Sequence, residues 1–146
     1  EVFVFVFFGL VATAGTTFAA IESVTALSLV MGSAVGALAC ALLVINNLRD
    51  IPTDREVGKK TLAVRLGDQR TRWFYVGLIG AAFVLSAVGA AWRLPVLLGL
   101  AAIPLAIRPV RSVLGGATGA ALIPVLGATG KLQLAWGLLV TVGLAL

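Results

Sequence analysis

Histidine is absent from this 146-residue sequence, cysteine occurs once, and charged residues make up only 12% of it. Without an imidazole, the chain has no His-dependent triad, no imidazole acid/base chemistry and no His metal ligand, which leaves oxygen donors for any metal. Cys40, inside an apolar segment, allows neither a disulfide framework nor a Cys-based zinc site. The charged fraction lies far below the roughly 25% of soluble domains. By contrast, 60% of the residues are hydrophobic and mean hydropathy is +1.10. The apolar residues come in runs of spanning length, so the chain is read as an all-α, multi-span transmembrane helical bundle of about five helices.

The net charge of +5 would point a soluble chain toward nucleic acid. Here no nucleic acid is expected, because the charge is concentrated between apolar segments. Of the 11 basic and 6 acidic residues, 11 of 17 in all lie between Arg49 and Arg72. The predicted spans fall near residues 2–21, 24–48, 73–92, 94–110 and 131–146, with 49–72 as a charged loop. Placing that loop in the cytoplasm puts Glu1, Arg108, Arg111 and Lys131 on the same side and leaves Arg93 outside, which satisfies the positive-inside rule. The localisation that follows is a multi-pass protein of the cell membrane in contact with the lipid bilayer.

The Val-Phe alternation at 2–7 would suit a strand in a soluble protein, but an unpaired strand leaves backbone groups unsatisfied in lipid, so a helix is expected. Gly32 and Gly36, four apart in the second span, form a close-approach pattern. Trp73, Tyr75 and Trp92 fit an aromatic belt around the third span. Pro95 suits the first turn of the fourth, and Pro104 predicts a kink. Residues 112–130, rich in Gly, Ala and Thr with Pro124 among them, read as a re-entrant or interfacial connection. The chain starts at Glu1 rather than Met and ends on an unanchored apolar run, so it is expected to be part of a longer protein. No signal-peptide pattern is present.

The passage Asn46 to Gly67 is where function is sought. On a helix, Asn46, Asn47, Asp50 and Asp54 are related by steps of three and four and share a face. Pro52 biases Ile51 away from the α region, so the alternative is a helix ending near Asp50 with Asp54 folding back. Either arrangement brings two hard carboxylates around a Mg²⁺ ion, which commonly completes its shell with water and substrate phosphates. Arg55, Lys59, Lys60 and Arg65 then stand ready for a diphosphate. The bland alternative is a solvated loop in which Asp50 and Asp54 pair with Arg49, Arg55 and Lys59, each pair worth about 0–1 kcal/mol. Gly58-Lys59-Lys60-Thr61 is not a phosphate-binding P-loop, since Asp54 stands where the first Gly belongs and Lys60 where Ser or Thr belongs. Thr61 to Leu66 reads as a short capped helix stopped at Gly67, with Asp68 available to cap the next.

The pattern Asn46-Asn47-Leu-Arg49-Asp50-x-x-x-Asp54-Arg55-x-x-Gly58-Lys59-x-Thr61-Leu-Ala-Val-Arg65-Leu-Gly67 resembles the second aspartate-rich motif of the UbiA superfamily of intramembrane prenyltransferases. Residues 1–9 and 127–134 also look like passages of its menaquinone-pathway branch. The resemblance implies the later part, roughly five helices, of a nine-helix fold in which two aspartate-rich motifs face each other. The first motif has no counterpart here, which implies a partner in the missing N-terminal part of the same protein and little activity for this piece alone. It further implies that Asp50 and Asp54 bind Mg²⁺ and are catalytic through it. Asn46, Asn47, Arg55, Lys59 and Arg65 would bind substrate. The implied substrates are a polyprenyl diphosphate and an aromatic acceptor, 1,4-dihydroxy-2-naphthoate. The competing reading from another class is a transporter or channel subunit with a charged gating loop, motivated by the intramembrane glycines and the 112–130 segment.

Overall fold

The computed structural model describes all 146 residues, as helices without strands. Five helices are long and apolar enough to cross a membrane. They are α1 (Val2–Ile21), α2 (Ala26–Glu56), α4 (Asp68–Gly89), α5 (Leu94–Leu114) and α6 (Gly119–Ala145), with the short α3 (Leu62–Leu66) between α2 and α4. The all-α, five-span architecture expected from composition is the one observed.

The Val-Phe start of α1 is helical, and through Phe5–Val11 its turns open into π-helical geometry before Ala12–Ile21 returns to α. α2 begins at a reciprocal capping box. The Ser28 amide donates to Thr25 Oγ1 at 3.0 Å, and the Thr25 amide donates to Ser28 Oγ at 3.1 Å. At about 1.5 Å per residue its 31 residues extend roughly 46 Å, half as long again as a hydrocarbon layer of about 30 Å. Its last turns therefore stand beyond the apolar layer. The helix runs unbroken through Pro52, so the alternative ending near Asp50 does not occur. The Leu48 carbonyl loses one amide partner there, which is tolerable where the helix leaves lipid and water can supply the bond.

α1 lies on α2 at backbone distance. A Cβ on Gly9 would fall 2.6 Å from the Gly32 carbonyl oxygen and 2.7 Å from Gly36 Cα. The Gly32/Gly36 pattern is thus a helix-packing surface, with Gly9 as its counterpart. The core lies among α2, α4, α5 and α6, and includes Leu38, Val44, Ile45, Tyr75, Ile79 and Trp136. Two buried polar pairs tie α4 to α6: Tyr75 Oη and Thr129 Oγ1 at 2.8 Å, and Trp136 Nε1 donating to Ser86 Oγ at 2.9 Å.

Residues 112–130 do not form a separate re-entrant connection. Ser112–Leu114 end α5, a turn follows, and α6 starts at Gly119. Pro124 falls in the first turn of the α-helical part, where its missing N–H is harmless. The small residues serve packing, as Thr129 does against Tyr75. Lys131 consequently lies within the last helix, exposed on its surface, rather than at its start, so that span is not free of ionisable side chains. α5 opens as 3-10 helix, Leu94–Ala102, and Pro104 begins its α-helical half instead of kinking it.

One buried side chain joins the charged segment to the α5–α6 turn. Arg72, 3% exposed, donates from Nε and Nη2 to the Asp68 carboxylate at 2.6 and 2.8 Å. Nη1 reaches the Val113 carbonyl, and Nη2 the Ala117 carbonyl at 2.9 Å. Asp68 therefore pairs with Arg72 instead of capping α4, because the guanidinium fork offers it two charge-assisted bonds. Replacing Arg72 with Met leaves two carbonyls without their donor, at a cost of about 2 kcal/mol. Thermal unfolding in detergent is expected to show the loss, and Arg72→Lys, lacking the fork, to recover less than half of it.

Candidate metal and diphosphate site

Because α2 is continuous, Asn46, Asp50 and Asp54 sit at successive steps of four, each turning only about 40° around the axis. They form one row, with Asp50 and Asp54 in the projecting end of the helix and Asn46 where it meets the apolar layer. Asp50 is held by Arg49, whose Nε and Nη2 donate to its two carboxylate oxygens at 2.7 and 2.9 Å. Asp54 is 6% exposed, and Lys59 Nζ donates to its Oδ1 at 3.1 Å. Thr61 Oγ1 stands 3.5 Å from its Oδ2.

The backbone explains why Lys59 meets Asp54. α2 ends with Gly58 at φ +71°, a left-handed conformation that glycine adopts without a Cβ penalty. The Lys59 amide then donates to the Asp54 carbonyl at 2.8 Å, which turns the chain back over the helix end. Thr61 caps α3, as its sequence predicts, by accepting from the Val64 amide at 3.3 Å.

The remaining predicted residues are placed less uniformly. Asn47 is buried and donates from Nδ2 to Glu1 Oε1 at 3.1 Å, which ties the start of α1 to the site helix. Arg55 is exposed, one residue and about 100° around the helix from Asp54, and makes no ion pair. Arg65 is exposed as well, and with Lys60 and Glu1 borders a separate cavity of about 560 Å³ beside the start of α1. The fold thus gathers Asn46, Asp50, Asp54 and Lys59 but brings neither Arg55 nor Arg65 to the carboxylates. Two pairs of the solvated-loop alternative, Arg49–Asp50 and Lys59–Asp54, do form, yet on a helix and with Asp54 buried.

Beneath this row lies a cavity of about 400 Å³, walled by Val4 and Phe8 of α1, Leu43 and Asn46 of α2, and Leu126 and Gln133 of α6. Gln133 carried no role in the sequence reading. Its signal was an amide inside an otherwise apolar run, and only the fold brings it opposite Asn46.

Two carboxylates on one face supply hard, acceptor-only oxygens, the donor type that Mg²⁺ and similar cations take. No cluster of three or more His, Cys, Asp or Glu side chains forms. The residues present therefore fit a hard divalent ion whose shell is completed by water, by substrate oxygens or by ligands outside this chain.

The fold defines an all-helical, multi-pass membrane protein whose longest helix carries Asn46, Asp50 and Asp54 in one row. The chain belongs to the UbiA prenyltransferase family, whose sequence model matches residues 1–115. It is 49% identical over 145 residues to the 1,4-dihydroxy-2-naphthoate octaprenyltransferase of Mycobacterium tuberculosis, covering 99% of this chain and 50% of that one. It is 46% identical to the protein of the same name from Mycobacterium leprae, covering 100% of this chain and 50% of that one. For the protein of that name from Escherichia coli the identity is 36%, covering 100% and 48%. The chain spans about half the length of these curated relatives. No solved structure matches it. Membership removes the grounds for the transporter or channel reading and makes this a multi-pass membrane chain.

A metal at Asp54 Oδ1 would compete with Lys59 Nζ for that oxygen. An exposed partner of this kind is worth about 0–1 kcal/mol, so Lys59→Gln is expected to tighten Mn²⁺ binding by up to about fivefold in the absence of diphosphate. Electron paramagnetic resonance titration of the full-length protein measures this directly.

Proposed function

We propose that this chain forms one wall of the active site of a membrane prenyltransferase that moves a polyprenyl group from its diphosphate to 1,4-dihydroxy-2-naphthoate, in menaquinone synthesis. The observation that carries the reading is the row in which Asp50 and Asp54 follow Asn46, itself part of the wall of an apolar cavity. The names of the relatives supply the acceptor, and carboxylate loss accompanying prenyl transfer gives a demethylmenaquinol.

Asp50 and Asp54 would hold Mg²⁺, which when bound neutralises charge on the departing diphosphate. Lys59, released from Asp54, is the cation of this chain best placed to pair with diphosphate oxygens. Arg55 and Arg65 would have to approach from outside the row. Asn47 and Glu1 fix the start of α1 against the site helix and so hold Val4 and Phe8 in the cavity wall. That wall keeps water from the allylic cation until the electron-rich ring attacks it. The other carboxylate motif of the site lies in the half of the enzyme that this chain does not contain, and the charged end faces the cytoplasm.

In the full-length enzyme, Asp50→Asn and Asp54→Asn are each expected to abolish divalent-ion-dependent product formation, with expression and thermal unfolding unchanged. Product analysis by mass spectrometry after incubation with labelled prenyl diphosphate reads this out. Wild-type turnover in both variants would sink the proposal.

A further inference from the structure

Resting on the prenyl-transfer reading, we propose that Gln133 of α6 and Asn46 of α2 are the pair that positions the aromatic acceptor. Their two primary amides would hold its hydroxyl and carboxylate groups in the cavity beneath Asp50.

Asn46 and Gln133 line the same cavity of about 400 Å³, and the other six residues around it are hydrophobic. That volume lies within the range of small-molecule sites. Both side chains are half-buried, and neither is among the hydrogen-bonded side chains of the chain. Each amide has two N–H donors and a carbonyl acceptor. Facing hydrocarbon with no partner is unfavourable for such groups, so a polyprenyl tail is a poor occupant of this end of the cavity. A ring bearing hydroxyl and carboxylate groups satisfies both amides and offers its apolar faces to Phe8 and Leu43.

The cavity contains no cation. The basic residue beside the row, Lys59, is at Asp54, two helical steps of four from Asn46. Chemistry therefore sorts the two substrates, with diphosphate toward the carboxylates and their cations, and ring toward the amides one turn below. Gln133 also has room to adapt. A Cβ on Gly137 would meet nothing within 4 Å, and one on Gly130 would meet only Leu42, at 3.8 Å. Because Asn46 adjoins the carboxylates, Gln133 is the residue whose effect separates ring recognition from metal binding.

The test uses the full-length enzyme with Gln133→Met, a near-isosteric change that removes the amide. The KM for the acceptor is expected to rise about tenfold, while the KM for prenyl diphosphate stays within twofold and most of kcat is kept. Acceptor analogues lacking the carboxylate or one hydroxyl should narrow the gap between wild type and variant for the group that Gln133 holds. As a measure independent of turnover, the acceptor should raise the unfolding temperature of the wild type more than that of the variant. Unchanged acceptor KM and equal thermal shifts overturn the inference, as does an equal rise in both KM values. If the wild-type enzyme prenylates no aromatic acceptor, the prenyl-transfer reading itself fails. An active wild type with an unaffected variant refutes only the role of Gln133.

Discussion

α2 is longer than the layer it crosses, and the arrangement of the site follows from that mismatch. A helix of 31 residues cannot be contained in a hydrocarbon slab that takes about 20. The projecting end carries the charges that lipid would reject, Asp50 and Asp54 with Arg49 and Arg55. The residues one turn deeper, Asn46 and Leu43, line a cavity instead. Polar chemistry and an apolar chamber are therefore stacked on a single rigid element. A break at Pro52 would have uncoupled Asp54 from Asp50, and the missing amide is confined to a point where water can compensate it.

One contact fixes this helix against α1, and another of a different kind ties the charged segment after it to the rest of the bundle. On one side, Gly9 meets Gly32 and Gly36 at backbone distance, so α1 is close enough for Glu1 to accept a hydrogen bond from Asn47 and for Val4 and Phe8 to wall the cavity. Shape alone does this work in lipid, where apolar helices gain little from merely meeting. On the other side, the Arg72 guanidinium binds Asp68 and two carbonyls of the α5–α6 turn, anchoring the start of α4 where the charged segment rejoins the bundle.

Both carboxylates of the row pair with the chain's own cations. Arg49 clasps Asp50 with a two-pronged bond, and Lys59 covers the buried Asp54. Such pairing offsets burial at Asp54, because an uncompensated buried carboxylate is costly. It also shows why the solvated-loop alternative and the metal-site reading could not be separated from spacing. The same side chains serve both, and burial of Asp54 on a helix is a property of three dimensions.

The sequence by itself determined the solvent, the fold class and the row of Asn46, Asp50 and Asp54. Uncharged runs of spanning length require helices, and steps of four place Asn46, Asp50 and Asp54 on one face once a helix is granted. The Thr61 cap and the Gly67 stop were legible for the same reason: each depends on neighbours within a turn or two, whereas Gly32 and Gly36 met their counterpart, Gly9, only in the fold. Tertiary structure alone decided what depends on distant partners. Pro52 could end a helix or be carried by it, and α2 carries it. Small residues at 112–130 could form a loop or a packed helix, and Thr129 against Tyr75 belongs to a helix. Asp68 could cap α4 or bind Arg72, and the fork captured it. Gln133 gained its place opposite Asn46 from the same source, since residues 87 positions apart meet only when α6 closes on α2.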